Sequence, residues 1–379
     1  MTCGSRAIDG KLEVMTEPTV HPLPLPLGGA RELIPAAGDV VFDWSYRLDR
    51  QSLVALYEKG KALQWNASTD IDWSIAVDPE EFPEFFPPEA FNATLNPPRK
   101  LELRELKAMR VQQLGWMLSQ FLHGEQGALL ATAQIVETVP WTEAKWYAAS
   151  QVADEARHVE VYRRYLTEKL PYAYPVNPHL RTLLEQIVRE SRWDMTYLGM
   201  QIMVEGLALA AFGMIHLTNP HERLLNQITS YVIRDEARHV AFGVLSLEDL
   251  YRTMTASELR EREEMVIEAA MLMRDRLLMA EVWERLGFDV KAWVAWSLET
   301  PFMTGFRQLL FSKIVPNLKR LGLLTPRVRA AFERIGVLHF EDLPDSTQDE
   351  RVTMPPAVAQ FLAGIALPQD AQEPRPASA

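Results

Sequence analysis

The hexapeptide DEARHV occupies residues 154–159 and returns at 235–240. Within each copy a glutamate and a histidine stand three apart, Glu155 with His158 and Glu236 with His239. Positions i and i+3 share a helix face, so each copy projects a carboxylate and an imidazole together. Such side chains bind divalent metals or move protons. A single Glu-x-x-His pair is a common chance match on a solvated face. Two identical pairs make a stricter demand, because a two-metal site in a four-helix bundle takes one pair from each of two helices and a lone glutamate from each of the other two.

The lone glutamates belong on the helices that precede the repeats. In SQFLHGEQGALLATA, Leu118, Phe121, Leu122, Leu129 and Thr132 mark an inner stripe that contains Glu125. In GMQIMVEGLALAAFG, Leu198, Ile202, Leu209 and Phe212 mark a stripe that contains Glu205. An ionised carboxylate on an apolar face is costly unless it is paired or bound to metal. Glu125 and Glu155 each lie about fifteen residues from Pro140, and Glu205 and Glu236 about fifteen and sixteen from Pro220. At a rise of about 1.5 Å per residue, all four stand roughly 22–24 Å from their turns. Two antiparallel hairpins then bring four carboxylates and two imidazoles to one level. That donor set suits iron or manganese better than a closed zinc site. The alternative is a polar core network in which the acids pair with Arg157, Arg238 or a lysine.

The elements that must position these groups are helical. Apolar residues recur at three- and four-residue spacing, and strand-like alternation is scarce. The pattern predicts an all-α chain with helices at 47–62, 100–138, 141–169, 179–217, 221–253, 257–286 and 303–321, with Pro140, Pro171, Pro175, Pro178 and Pro220 as punctuation. The stretch 177–190 supplies the return between hairpins, with a break near Ser191–Asp194 dividing the fourth run. Residues 1–45 read as an irregular arm, 46–340 as the helical domain with its bundle at about 100–253, and 341–379 as a Pro-rich tail with a short helix around Ala357–Ile365.

Composition narrows the setting. The chain has 379 residues, 47% hydrophobic, with a formal net charge of -12. The acidic balance argues against a nucleic-acid surface. No run of eighteen uncharged apolar residues suggests a membrane span, and the charged first residues do not read as a secretory signal. A single cysteine, Cys3, leaves neither a disulfide framework nor a thiolate metal site, so a reducing cytoplasm is expected.

The segments ADEARHVEVYRRYL, IRDEARHVAFG and MVEGLALAAFG resemble the ferritin-like di-iron carboxylate superfamily, closest to its oxygen-activating branch of ribonucleotide-reductase small subunits, their ligand-binding oxidase relatives and bacterial multicomponent monooxygenases. The resemblance covers about two-fifths of the chain. It implies a ferritin-like four-helix bundle with flanking helices. It also implies two irons, or a manganese–iron pair, on Glu125, Glu155, His158, Glu205, Glu236 and His239, with O2 as co-substrate. Asp154 and Asp235 would accept from the outer N–H of the histidine in the other motif; salt bridges to Arg157 and Arg238 are the competing reading. Tyr162, one turn after His158, is either a redox-active phenol or an ordinary buried tyrosine, and its counterpart after His239 is Gly243. Leu122, Leu129, Leu209 and Phe212 either wall a substrate pocket or are plain core. Gly124, Gly127 and Gly206 mark either room for a ligand or close packing.

Departures accompany the resemblance. Leu209 stands where multicomponent monooxygenases have a threonine. Val232 stands where arylamine N-oxygenases have a seventh ligand, a histidine. The tail EPRPASA lacks the aromatic character of a reductase docking peptide. His123 faces away by helical phase. LYEKGKALQWNASTDIDW, with Trp65 and Trp73, either covers one end of the bundle, forms a dimer contact or is plain surface packing, and surface packing is the reading preferred. Three function classes follow: an O2-dependent oxidase or monooxygenase acting on a small organic molecule, a radical-generating or ligand-binding relative of the reductase subunit, and a non-catalytic iron-binding bundle. The first implies a small-molecule substrate and an electron donor such as a ferredoxin or flavin reductase. A homodimer is also expected.

Overall fold

The computed structural model describes residues 33–348 apart from 37, 80–86, 171 and 219–221. Among these it contains helices and no strand, as the periodicity predicts. Helices α1 (Gln51–Ala62) and α2 (Pro88–Leu95) precede the bundle. Helix α3 (Leu103–Thr138) opens on a reciprocal cap, in which Glu102 and Glu105 each accept the other's backbone N–H. It stops before Pro140, and α4 (Thr142–Arg164) packs back along it as the first hairpin.

Helix α5 (Pro178–Arg189) starts on Asn177, whose side chain accepts from the His179 N–H, with proline in the first turn. It carries the chain back along α3 and ends at Glu190. A continuous rod follows: α6 (Trp193–Tyr197), a π-helical stretch Leu198–Val204, and α7 (Glu205–Thr218). Helix α8 (Arg223–Thr253) completes the second hairpin. Helix α9 (Ala256–Arg276) then lies against α5 and the π-helical stretch. Beyond it come α10 (Ala280–Arg285), α11 (Val290–Glu299), α12 (Pro301–Leu309), α13 (Ile314–Arg320) and α14 (Pro326–Arg334). Arg262 of α9 donates through Nε and Nη2 to Asp194 Oδ2 at 2.9 and 2.8 Å, a buried ion pair that fixes where the rod begins.

The buried stripe of α3 runs through Leu118, Phe121, Leu122, Glu125, Ala128 and Thr132. Leu129, predicted on that stripe, is only half-buried; the small Ala128 takes its place. The stripe of the rod is as predicted: Leu198, Ile202, Glu205, Leu209 and Phe212 are all buried. The segment Trp193–His216 is long and apolar enough to cross a membrane, but 89% of its most apolar window is buried inside the bundle and it carries Glu205.

Several helix limits differ from expectation. The predicted 179–217 run is divided at Glu190–Arg192, where a break was expected. The 257–286 run breaks between α9 and α10, where Met279 adopts φ +53°. The 303–321 run breaks between α12 and α13. Helices α2, α11 and α14 were not anticipated. Two of these, and α12, begin with proline in the first turn, where its fixed φ starts a helix rather than ending one. The short helix expected around Ala357–Ile365 falls outside the described residues.

Candidate metal centre

Four helical segments deliver the six predicted side chains to one buried cluster. Glu125 comes from the middle of α3 and Glu155 and His158 from α4. Glu205 follows the π-helical stretch, and Glu236 and His239 come from α8. None is more than 5% exposed. His158 Nδ1 lies 3.3 Å from Glu125 Oε2, 3.4 Å from Glu155 Oε2 and 3.1 Å from Glu236 Oε1. His239 Nδ1 lies 3.1 Å from Glu155 Oε1 and 3.6 Å from Glu236 Oε2. Glu155 and Glu236 therefore stand between two imidazoles whose ring centres are 5.9 Å apart. One donor atom from each of Glu125, Glu155, His158 and Glu236 lies within 4.8 Å of the others, and the same is true of Glu155, Glu205 and His239.

The outer faces of the imidazoles are held crosswise. His158 Nε2 faces Asp235 Oδ2 at 3.3 Å, and His239 Nε2 faces Asp154 Oδ2 at 3.1 Å. Each aspartate sits against the histidine of the other repeat. Both also pair with arginine: Arg157 with Asp154, and Arg238 with Asp235 at 2.6 Å and Asp154 at 3.4 Å. The two readings of these aspartates hold together, since each carboxylate has oxygens enough for both partners.

Two residues that the sequence reading left on the surface belong to this layer. Trp65, just past α1, is 6% exposed and donates its indole N–H to Asp235 Oδ2 at 2.7 Å. Its neighbour Gln64 donates to Asp154 Oδ1 at 2.9 Å. Surface packing is thus the wrong reading for Trp65. Trp73 is half-buried, donates to the Ala67 carbonyl, and lies under Arg164. His123 is turned toward the Tyr174 carbonyl at 3.0 Å, away from the cluster as expected.

The cluster as it stands is electrostatically incomplete. Its four glutamates and two aspartates face two guanidinium groups, and the four uncompensated charges equal those of two divalent cations. Glu155 Oε2, Glu205 Oε2, both Glu236 oxygens and His239 Nδ1 are enclosed with no hydrogen-bond partner. Each such atom costs about 1–3 kcal/mol when left unmet. Burial, reinforced by Glu236, pushes the Glu125 and Glu205 carboxyls well up. Burial would lower both imidazoles, but Glu125 beside His158, and Glu155 and Glu236 beside His239, push them well up instead. Burial would also raise the Glu155 carboxyl, yet the two histidines outweigh it and hold it well below the usual range. Without cations, protons supply the missing positive charge. The donor set, its open atoms and its charge all fit two bound metals.

The surroundings differ between the two ends. Near Glu125 and His158, Tyr162 is buried with its hydroxyl unpartnered, its ring 5.8 Å from Phe121 and 5.9 Å from Phe212. Burial and the Glu125 charge raise the Tyr162 phenol well above its ordinary value. Near Glu205, Gln151 donates to Glu155 Oε1 and Glu205 Oε1, each at 3.0 Å. Gln201, one turn before Glu205, reaches Thr132 Oγ1 at 3.4 Å. Gly243 makes room for it: a β-carbon there would sit 2.8 Å from the Gln201 β-carbon. Gly127 and Gly206 are close-packing positions, a β-carbon meeting Leu184 at 2.5 Å and Ile314 at 3.2 Å, whereas Gly124 faces open space.

The sequence model of p-aminobenzoate N-oxygenase AurF matches residues 49–322, most of the chain. The chain belongs to the p-aminobenzoate N-oxygenase family. The match to this N-oxygenase family reaches from α1 through α13 and so includes Gln64 and Trp65 as well as the six clustered residues. The fold is the ferritin-like helical bundle that the resemblance implies. The apolar Val232, fully buried, does not exclude the chain from the N-oxygenase family. Among solved structures, a variant of the R2-like ligand-binding oxidase with anaerobically reconstituted Mn/Fe cofactor is similar at 17% identity, over 75% of this chain and 96% of that one, with a TM-score of 0.43. The same oxidase with aerobically reconstituted Mn/Fe cofactor is 16% identical over 78% and 95%, with a TM-score of 0.40. No curated protein matches the chain in sequence.

Proposed function

We propose that the protein is a non-haem di-metal oxygenase that uses O2 to oxidise or hydroxylate a small organic molecule. The observation that carries the proposal is the convergence of four glutamates and two histidines on one buried, charge-deficient cluster. In this reading Glu125 and His158 hold one metal, Glu205 and His239 the other, and Glu155 and Glu236 lie between them. The pair is two irons, or manganese with iron, and supplies the redox chemistry that activates O2. The rest falls to the protein. Asp235 and Asp154 fix the tautomer and aim of the two imidazoles. Leu122, Leu209 and Phe212, all buried, exclude water on the apolar side, with half-buried Leu129 at its margin. Tyr162 keeps its phenolic proton at neutral pH because burial opposes the phenolate.

An aromatic amine is the substrate class we favour, on the family's name and on the aromatic residues Phe121, Tyr162 and Phe212 beside Glu125. A ferredoxin or flavin reductase as electron donor, a homodimeric assembly and a cytoplasmic location complete the proposal. The unpartnered Tyr162 hydroxyl favours a second reading, in which that phenol would form a radical, with the oxidised metal pair as electron acceptor and a carboxylate of the cluster as proton acceptor.

The test is to load the full chain anaerobically with Fe(II) and mix it with isotopically labelled O2, with p-aminobenzoate as probe. Uptake of two metals and label in an oxidised product are expected. A stable tyrosyl signal that disappears in Tyr162→Phe selects the second reading. Failure to bind metal overturns both.

A further inference from the structure

The two repeats are not chemically equal, and the inequality centres on one side chain. Gln151 lies four residues before Glu155, and the corresponding residue before Glu236 is Val232. Both are fully buried. Gln151 Nε2 stands 3.0 Å from one oxygen of Glu155 and 3.0 Å from one oxygen of Glu205. The amide nitrogen carries two hydrogens, one for each of these oxygens, and a metal-bound carboxylate can only accept. Gln151 Oε1 is enclosed and has no donor. A buried acceptor left unmet costs about 1–3 kcal/mol. As simple core filling, an apolar residue like Val232 would do better, so the glutamine is kept in place by what its nitrogen does.

We infer that Gln151 is a positioning residue that makes the Glu205/His239 metal position distinct from the Glu125/His158 position, by giving one amide hydrogen to Glu205 and the other to Glu155. This rests on the two-metal reading proposed above. The lone glutamate of the first hairpin has no such amide donor: the residue that corresponds to Gln151 is the apolar Val232, and the side-chain partner of Glu125 is His158 at 3.3 Å. Gln151 therefore orients Glu205 and fixes which oxygen of Glu155 turns toward it. The two positions then differ in affinity and fill in order.

The test uses the full chain, titrated anaerobically with Fe(II) by calorimetry, with Mössbauer spectra at one and two equivalents. In the wild type a single iron environment is expected at one equivalent and a second on further addition. Gln151→Met, close in shape but without a donor, is expected to lose about 10–100-fold in affinity at one position only. Two environments of equal intensity at one equivalent in the wild type overturn the inference without need of the variant. So does equal weakening, or no weakening, of both positions in Gln151→Met. A wild type that takes up no iron refutes the two-metal reading itself, a separate outcome.

Discussion

Replacing Asp235 by asparagine keeps the side chain's shape and removes its charge. In the structure Asp235 accepts from the Trp65 indole at 2.7 Å and from Arg238 at 2.6 Å, and it faces the outer nitrogen of His158 at 3.3 Å. Two magnitudes follow. Loss of the partner that orients a metal-bound histidine typically costs 10–100-fold in affinity, or about 1.4–2.8 kcal/mol. Asparagine still offers one acceptor oxygen, so Asp235→Asn belongs near the tenfold end. In the metal-free protein the substitution also breaks a buried ion pair, ordinarily worth about 3–5 kcal/mol. Arg238 keeps Asp154 at 3.4 Å, which places the loss near about 3 kcal/mol. Urea unfolding measures the second quantity and anaerobic Fe(II) titration the first. The position on His158 should weaken while the one on His239 holds. Wild-type affinity at both positions in a folded Asp235→Asn protein would show that His158 is not a ligand or that Asp235 does not orient it.

Three further outcomes are expected. Tyr162→Phe removes an enclosed hydroxyl that has no partner, so the metal-free protein should gain about 1 kcal/mol in urea; a clear loss would mean the hydroxyl is bonded. Gly243→Ala puts a β-carbon 2.8 Å from the Gln201 β-carbon and 3.1 Å from Ile202 Cδ1, and should cost about 1–3 kcal/mol in thermal unfolding; no change would mean the π-helical stretch yields freely. The histidines and the Glu125 and Glu205 carboxyls all bind protons more tightly when folded than when unfolded. The stability contributed by the histidines is therefore full below their unfolded value of 6.5 and is lost as pH rises through their raised folded values. Metal-free protein should melt lower at about pH 9 than at about pH 6, and the gain on adding metal should grow over the same range; a metal-free protein that is more stable at the higher pH contradicts the charge assignment.

Much of the centre could be read from the sequence because its ligands obey helix periodicity. A three-residue spacing, used twice, fixes a face, and equal distances from Pro140 and Pro220 fix a level. Leu129 was misplaced because at about 3.6 residues per turn the positions three and four residues after Glu125 lie on either side of its face, and the pattern alone does not say which turns inward; Ala128 is the buried one. Trp65 was missed for a different reason. It lies outside any periodic run, and its hydrogen bond spans 170 positions of sequence, which no local pattern encodes. Gln151 carried a signal that went unused: a polar residue one turn before Glu155, on the same face. The proline-initiated helices were missed because proline was taken only as a terminator.

The crosswise grip of the two aspartates has a consequence for how the molecule can be taken apart. Neither hairpin owns a finished half of the centre, because His158 leans on Asp235 and His239 on Asp154, while Arg238 reaches the acids of both repeats. Separately expressed halves would each carry a stranded imidazole and surplus acid. The interlock therefore favours an all-or-none closure, in which the last event of assembly is the docking of one half against the other.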